Sequence, residues 1–376
     1  MTRFDVVVCG LGATGSAALY QLARRGARVV GLERFVPGHP HGSSHGETRI
    51  IRLGYFEHPS YVPLVRSAYA EWRAIEAAAG RQLLHVTGIA EIGPPDGVLV
   101  AGTLVSATQH GLAHEVLIAA ELMRRFPAFA VPPNFVGVLQ PEGGYLEAEP
   151  SIAAMVGLAQ AKGAEIRTAE TIAAIAPVAG GVRITTDRGV IEAGAAIVAL
   201  GAWVKALLPD LPAPIRVTRQ VMAWFEPLDP APLGGGRLPV FLIESRHGIH
   251  YGFPPRSSLV KVAKHHHRDQ SVDPDTYDQT VSGQDEALIR AAVAEHLPAA
   301  NGRLIKAKTC LYTMTPDGDF IIDRLPGAPQ IVVASPCSGH GFKFAPAIGA
   351  ILADLATTGA TPHDIARFTL GRFAGR

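Results

Sequence analysis

The sequence predicts an α/β protein with a second domain of α+β type built on a mostly antiparallel sheet. Three observations carry this. A strand, a glycine-rich turn, a helix and a second strand follow one another at the N-terminus. Alternating strands dominate from Ile215 to Cys310. With 376 residues the chain is too long for one ordinary core, so two domains sharing an interface are expected.

Taken in order, Phe4 to Cys9 is rich in valine and reads as a strand, followed by glycines, a helical run from Ser16 to Arg25 and a strand from Val29 to Leu32. From Tyr61 to Ala78, Leu64, Val65, Ala68, Trp72 and Ile75 recur at helical spacing with charged residues opposite. The stretch from Leu83 to Gly143 changes character, with short apolar runs and a helix expected from Val116 to Arg125, ended by Pro127. A helix from Ser151 to Lys162, a strand near Glu165 to Arg167, a hairpin around Gly180 and Gly181 and a strand from Ala195 to Leu200 come next. Strands are then expected over Val240 to Glu244, Ile249 to Phe253 and Leu259 to Val262, with an amphipathic helix from Asp285 to His296. A strand from Ile331 to Ala334, a glycine-rich turn and a helix from Pro346 to Thr357 end the series. The expected division places 1–82, 144–214 and 321–376 in the nucleotide-binding domain, and 83–143 and 215–320 in the second, substrate domain. No internal repeat is visible.

A formal net charge of +1 gives no concentrated basic face for nucleic acid, and no polybasic membrane patch appears. The uncharged stretch from Val6 to Ala23 superficially suits a signal peptide or membrane span, but Gly10, Gly12, Gly15 and Gln21 fit a phosphate-binding turn instead. A cytoplasmic protein is expected, as a monomer or weak oligomer. Cys9, Cys310 and Cys337 are an odd number at wide spacing, which fits neither a disulfide framework nor a zinc site. The run His265, His266, His267 sends successive side chains to opposite faces of a strand, so no metal is expected there.

Gly10-Leu11-Gly12-Ala13-Thr14-Gly15 lies between the first strand and helix, and Glu33 ends the next strand about 20 residues on. The glycines let a pyrophosphate approach the helix N-terminus, while the carboxylate of Glu33 accepts from ribose hydroxyls. This is a Rossmann-like fingerprint. Arg34 leaves NADP open, and the fingerprint alone does not separate NAD from FAD.

Four further segments choose between them: Gly42-Ser43-Ser44-His45-Gly46-Glu47-Thr48-Arg49-Ile50-Ile51-Arg52, Ala199-Leu200-Gly201-Ala202-Trp203, Lys308-Thr309-Cys310-Leu311-Tyr312-Thr313 and Ser338-Gly339-His340-Gly341-Phe342-Lys343. With these, in this order, the whole chain resembles the monomeric sarcosine oxidase and N-methyltryptophan oxidase family, flavoproteins of the D-amino-acid oxidase superfamily. The second segment is common among flavoproteins; the other three are specific to this family.

The resemblance implies FAD, held by the fingerprint residues with Ser43, Ser44, His45, Thr48, Gly201, Trp203, Gly339, Gly341 and Phe342. It implies a thioether between Cys310 and the flavin 8-methyl position; on the residues alone, a buried free cysteine is the alternative. Arg49 and Arg52 are read as sharing a face of one helical turn. The resemblance places Arg49 against the flavin and gives Arg52 the substrate carboxylate, which Lys343 completes from the start of the last helix. Lys261 stands among apolar residues on its predicted strand, either as an edge-strand charge or, by the resemblance, above the flavin assisting electron transfer to O2. Tyr251, His265 and Tyr312 match family active-site positions, while Leu242 replaces a methionine of that pocket.

The implied activity is oxidation of the C–N bond of a small secondary amino acid, N-methyl or cyclic, with O2 reduced to hydrogen peroxide. Two other readings are a flavin dehydrogenase passing electrons to another acceptor and a non-catalytic FAD-binding subunit.

Overall fold

A computed structural model describes residues 4–335 and 338–374, so Cys337 lies outside the described residues. Five parallel strands form the centre of the first sheet, in the order Ala328–Ser335, Gly189–Val198, Phe4–Cys9, Val29–Glu33, Glu165–Thr168. Antiparallel additions extend it: Gly181–Thr186 and Ile172–Val178 beside Gly189–Val198, and Ile321–Leu325 beside Ala328–Ser335. Alternation along Phe4–Cys9 explains the layering. Val6 and Val8 enter a core shared with the helices Ala13–Arg24, Tyr61–Ala79, Ala148–Ala161 and Ala345–Thr357, while Val7 and Cys9 enter a second core on the opposite face.

The second sheet has eight strands, in the order Leu304–Met314, Arg216–Phe225, Val260–Lys264, Gly248–Gly252, Val240–Ser245, Ile89–Gly93, Val136–Gln140, Glu115–Ile118. All its pairings are antiparallel except Val240–Ser245 against Ile89–Gly93. Helix Gly283–His296 packs on it through Ile289 and Val293, its start fixed by Ser282 and Asp285 in a reciprocal capping box. A small antiparallel sheet, Thr48–Ile51, Gly144–Glu147 and Leu84–Val86, straddles the expected boundary after residue 82.

Two expectations need correction, and one helix was not foreseen. The helix expected over 116–125 is a strand, Glu115–Ile118, followed by helix Ala119–Arg125, because Val116 and Leu117 pair with Val138 and Gly137. Helix Val98–His110 was not foreseen: it is apolar nearly all round, which blurs the periodic signal, and buries Leu99, Val100, Thr103, Ser106 and Ala107. Thr48–Ile51 is a strand, not a helical turn, so Arg49 and Arg52 are not helical neighbours. Among the described residues no helix is long and apolar enough to cross a membrane.

Candidate active site

A continuous cavity of 490 Å³ runs from the glycine turn to the start of the last helix. At the turn, Gly10 has φ +89°, and a Cβ there would lie 2.7 Å from the Ala199 carbonyl oxygen; a Cβ on Gly15 would overlap the Gly10 carbonyl. Gly10, Gly12, Ala13 and Thr14 line the cavity, and Gly15 does not. The buried carboxylate of Glu33 accepts from the amides of Leu11 at 2.8 Å and Phe35 at 3.0 Å, which braces the turn while the residue still lines the cavity. Beside it Arg34 pairs with Asp275 at 2.5 Å, and the Trp203 indole donates to the same carboxylate at 2.9 Å. Gly201, Ser43 and Ser44 continue the wall, with the Ser44 hydroxyl accepting from the Ala13 amide at 3.3 Å.

Midway, Arg49 donates through Nη2 to the Ser43 carbonyl at 2.7 Å and through Nη1 to that of Thr48 at 2.9 Å. The same Nη2 lies 3.8 Å from the Cys310 sulfur. Cys310 reaches the cavity because it stands opposite Gln220 where Leu304–Met314 pairs with Arg216–Phe225. Tyr251, Tyr312, His265 and Leu242 also line the cavity, and His265 Nδ1 lies 3.4 Å from the Tyr312 hydroxyl. Burial holds the His265 imidazole well below its ordinary pKa, with His266 adding to the effect, so the ring is neutral. His267 points elsewhere, to Asp285 at 3.0 Å.

The far end holds two buried cations. Arg52 places Nη2 2.7 and 2.8 Å from the two Glu57 oxygens, donates from Nη1 to the Gly54 carbonyl at 2.7 Å, and has Nε 3.6 Å from Glu91. Burial opposes its charge, but Glu57 and Glu91 outweigh burial and hold the guanidinium protonated. Burial also works against charge on Glu57, yet Arg52, His340 and Lys343 bring its pKa down to about 2. Glu91 is pushed up to about 7 by burial, which Arg52 only partly offsets. Lys343 donates to the His340 carbonyl at 2.8 Å and the Tyr55 hydroxyl at 3.2 Å, and burial, helped by Arg52, lowers it to about 7. Arg52 and Lys343, far apart in sequence, line one cavity together.

Gly341, Phe342 and Gly339 also line the cavity; His45, Thr48 and Lys261 do not. The buried His45 ring is held neutral, its pKa lowered to about 3 by burial and then by Arg49. Lys261 corrects an expectation. Its ammonium donates to the Gly46 carbonyl at 2.6 Å, the Thr48 carbonyl at 2.9 Å and the Thr48 hydroxyl at 3.2 Å, so all three donors brace the turn that aims Arg49. Burial, with Arg49 next, lowers its pKa well below the ordinary value.

Sequence reasoning missed Glu57, Glu91, Tyr55 and the inward role of His340. One signal was available: Glu91 sits between Ala90 and Ile92 in an apolar strand, where a charge requires a buried partner.

The fit to FAD rests on the glycine cradle, on Glu33 at the end of its strand, and on Ser335, whose buried hydroxyl lines the cavity with no hydrogen-bond partner among the described residues. Comparison with known proteins agrees. The FAD dependent oxidoreductase family model matches residues 5–355. Monomeric sarcosine oxidase of Streptomyces avermitilis is 40% identical over 99% of this chain and 98% of that protein. N-methyl-L-tryptophan oxidase of Yersinia pestis (strain Pestoides F) is 34% identical over 98% of this chain and 99% of its own length. The solved structure of NikD, an unusual amino acid oxidase essential for nikkomycin biosynthesis, superposes with a TM-score of 0.87 at 29% identity, covering 98% of each chain. With this cavity and these full-length relatives, the chain belongs to the FAD-dependent oxidoreductases of the monomeric sarcosine oxidase and N-methyl-L-tryptophan oxidase family.

Proposed function

We propose that this protein oxidises the C–N bond of a small secondary amino acid, N-methyl or cyclic, to an imine, with O2 reduced to hydrogen peroxide. One observation carries the reading: Arg52 and Lys343 meet in the cavity at the end opposite the nucleotide-binding turn. The names of the relatives, which act on sarcosine and N-methyl-L-tryptophan, supply the substrate class.

FAD, when bound, supplies the hydride acceptor and passes electrons on to O2. Gly10, Gly12, Ala13 and Thr14 would take its pyrophosphate, with Glu33 at the ribose and Arg49 against the ring. Arg52 and Lys343 take the substrate carboxylate, a planar fork and a point charge that together fix its orientation. The wall of Leu242, Tyr251, His265 and Tyr312 excludes water and disfavours a charged amine, so the substrate reacts with its lone pair free. No strong general base is required; positioning supplies most of the acceleration. We assign Cys310 as the attachment point of the flavin, because the Arg49 guanidinium stands where it stabilises negative charge on the sulfur, the nucleophilic form. Lys261 supports the turn that aims Arg49 from behind.

Anaerobic addition of sarcosine, N-methyl amino acids and proline to purified protein tests this. At least one bleaches the flavin, and air restores the colour rapidly with release of peroxide. Slow reoxidation marks a dehydrogenase, and no bleaching by any amine acid refutes the assignment.

A further inference from the structure

We propose that Tyr55 and His340 are positioning residues that orient the Lys343 ammonium toward the carboxylate of a bound amino acid; this rests on the carboxylate-clamp reading above. The polarity of the chain begins at Gly318. Its carbonyl lies 3.0 Å from His340 Nε2 and can only accept, so Nε2 carries the proton. In a neutral imidazole, Nδ1 must then accept, and the Tyr55 hydroxyl 2.7 Å away donates to it, in preference to the His340 carbonyl at 3.4 Å. With its proton committed, the Tyr55 oxygen offers lone pairs to Lys343 at 3.2 Å. The polarity of the whole chain, from Gly318 through His340 and Tyr55 to Lys343, is thereby fixed. The His340 carbonyl takes a second ammonium proton at 2.8 Å, which leaves one donor for the cavity that Lys343 lines.

Packing removes the freedom of both links. The Tyr55 ring stacks on Tyr61 at 4.8 Å and meets Phe344 edge-on at 5.3 Å, while His340 lies 4.7 Å from Phe320. The Lys343 backbone is anchored by the Trp72 indole, which donates to its carbonyl at 2.8 Å. Such an aromatic cluster packs as well with phenylalanine. A fully buried hydroxyl is costly unless bonded, and the bonds of Tyr55 lead to Lys343. The ionisable groups acting on Lys343 are Arg52, Glu57 and Glu91, with Tyr55 and His340 in the chain itself. Burial lowers His340 to about 4, with Lys343 and Arg52 adding to the effect against Glu57, so the neutral tautomer holds across the working range.

Acetate, a carboxylate without an amine, is the probe, and its Kd is read from the visible absorbance of the bound flavin as pH is raised through the Lys343 titration. Loss of one hydrogen bond to a charged group corresponds to roughly tenfold weaker acetate binding in Tyr55→Phe and His340→Leu. The midpoint of the pH dependence also falls, because an ammonium without its acceptor gives up its proton more readily. His340→Asn, whose side-chain oxygen takes the place of Nδ1, restores binding to within about twofold. Retained flavin absorbance shows that each variant has folded. Unchanged Kd and midpoint in Tyr55→Phe and His340→Leu, with Lys343→Met abolishing binding, overturn the positioning role and leave the clamp standing. Acetate binding that Lys343→Met does not affect overturns the clamp and this inference together.

Discussion

Lys343 and Glu91 have their pKa values moved toward each other, both to about 7, one from above and one from below. The signs agree in effect. As pH rises through this window Lys343 loses its positive charge and Glu91 gains a negative one, so the pocket becomes less hospitable to an anion. Binding of a simple carboxylate is therefore strongest in mildly acid solution and weakens above neutrality. Glu91→Gln removes one of the two transitions, so the fall in affinity becomes shallower; an unaltered profile would show that Glu91 does not titrate there. Cys310 supports a separate prediction. Flavin remains with the acid-precipitated wild-type chain, and Cys310→Ala releases it; flavin freed from the wild type contradicts covalent attachment. These roles differed in how openly the sequence displayed them. Arg52, Lys343 and Cys310 stand in contiguous motifs, whereas Glu57 and Glu91 act through contacts with Arg52 that no spacing encodes.

Between elements, helix Ala13–Arg24 closely approaches helix Ala345–Thr357. A Cβ at Gly349 would lie 2.6 Å from the Ala17 backbone carbon, and backbone does not yield. Gly349→Ala should cost about 1–3 kcal/mol by overpacking, read from urea unfolding. It should also weaken flavin retention in a Cys310→Ala background, since the first helix begins at the nucleotide-binding turn. Wild-type stability in the variant would contradict the packing argument. Elements with a strong local signal were legible within a few residues, such as the valine-rich Phe4–Cys9 and the helically periodic Tyr61–Ala79. Thr48–Ile51 was not, because its strand character comes from pairing with Gly144–Glu147, a contact distant in sequence. The same long-range dependence misled the reading of 116–125.

At the scale of the molecule, we take the two eight-stranded sheets as the cores of two domains. The cavity draws Gly10 and Glu33 from one, Tyr251 and Cys310 from the other, and Arg49 from the small three-stranded sheet. A ligand bridging both sheets stabilises the folded state by mass action, about 2.7 kcal/mol when its concentration is one hundred times Kd. Adding FAD to flavin-free Cys310→Ala should thus raise a single melting transition, with both sheets unfolding together. Two transitions, only one of them shifted, would place the cofactor within one sheet alone.

The clamp is tested most directly by comparing kcat/KM for an N-methyl amino acid and its neutral carboxamide, in the wild type and in Lys343→Met. Charge-assisted pairing predicts that the wild type prefers the acid by roughly 100-fold, and that the preference largely collapses in the variant. Equal oxidation of acid and amide by the wild type, or a preference that survives the loss of Lys343 intact, would contradict the account.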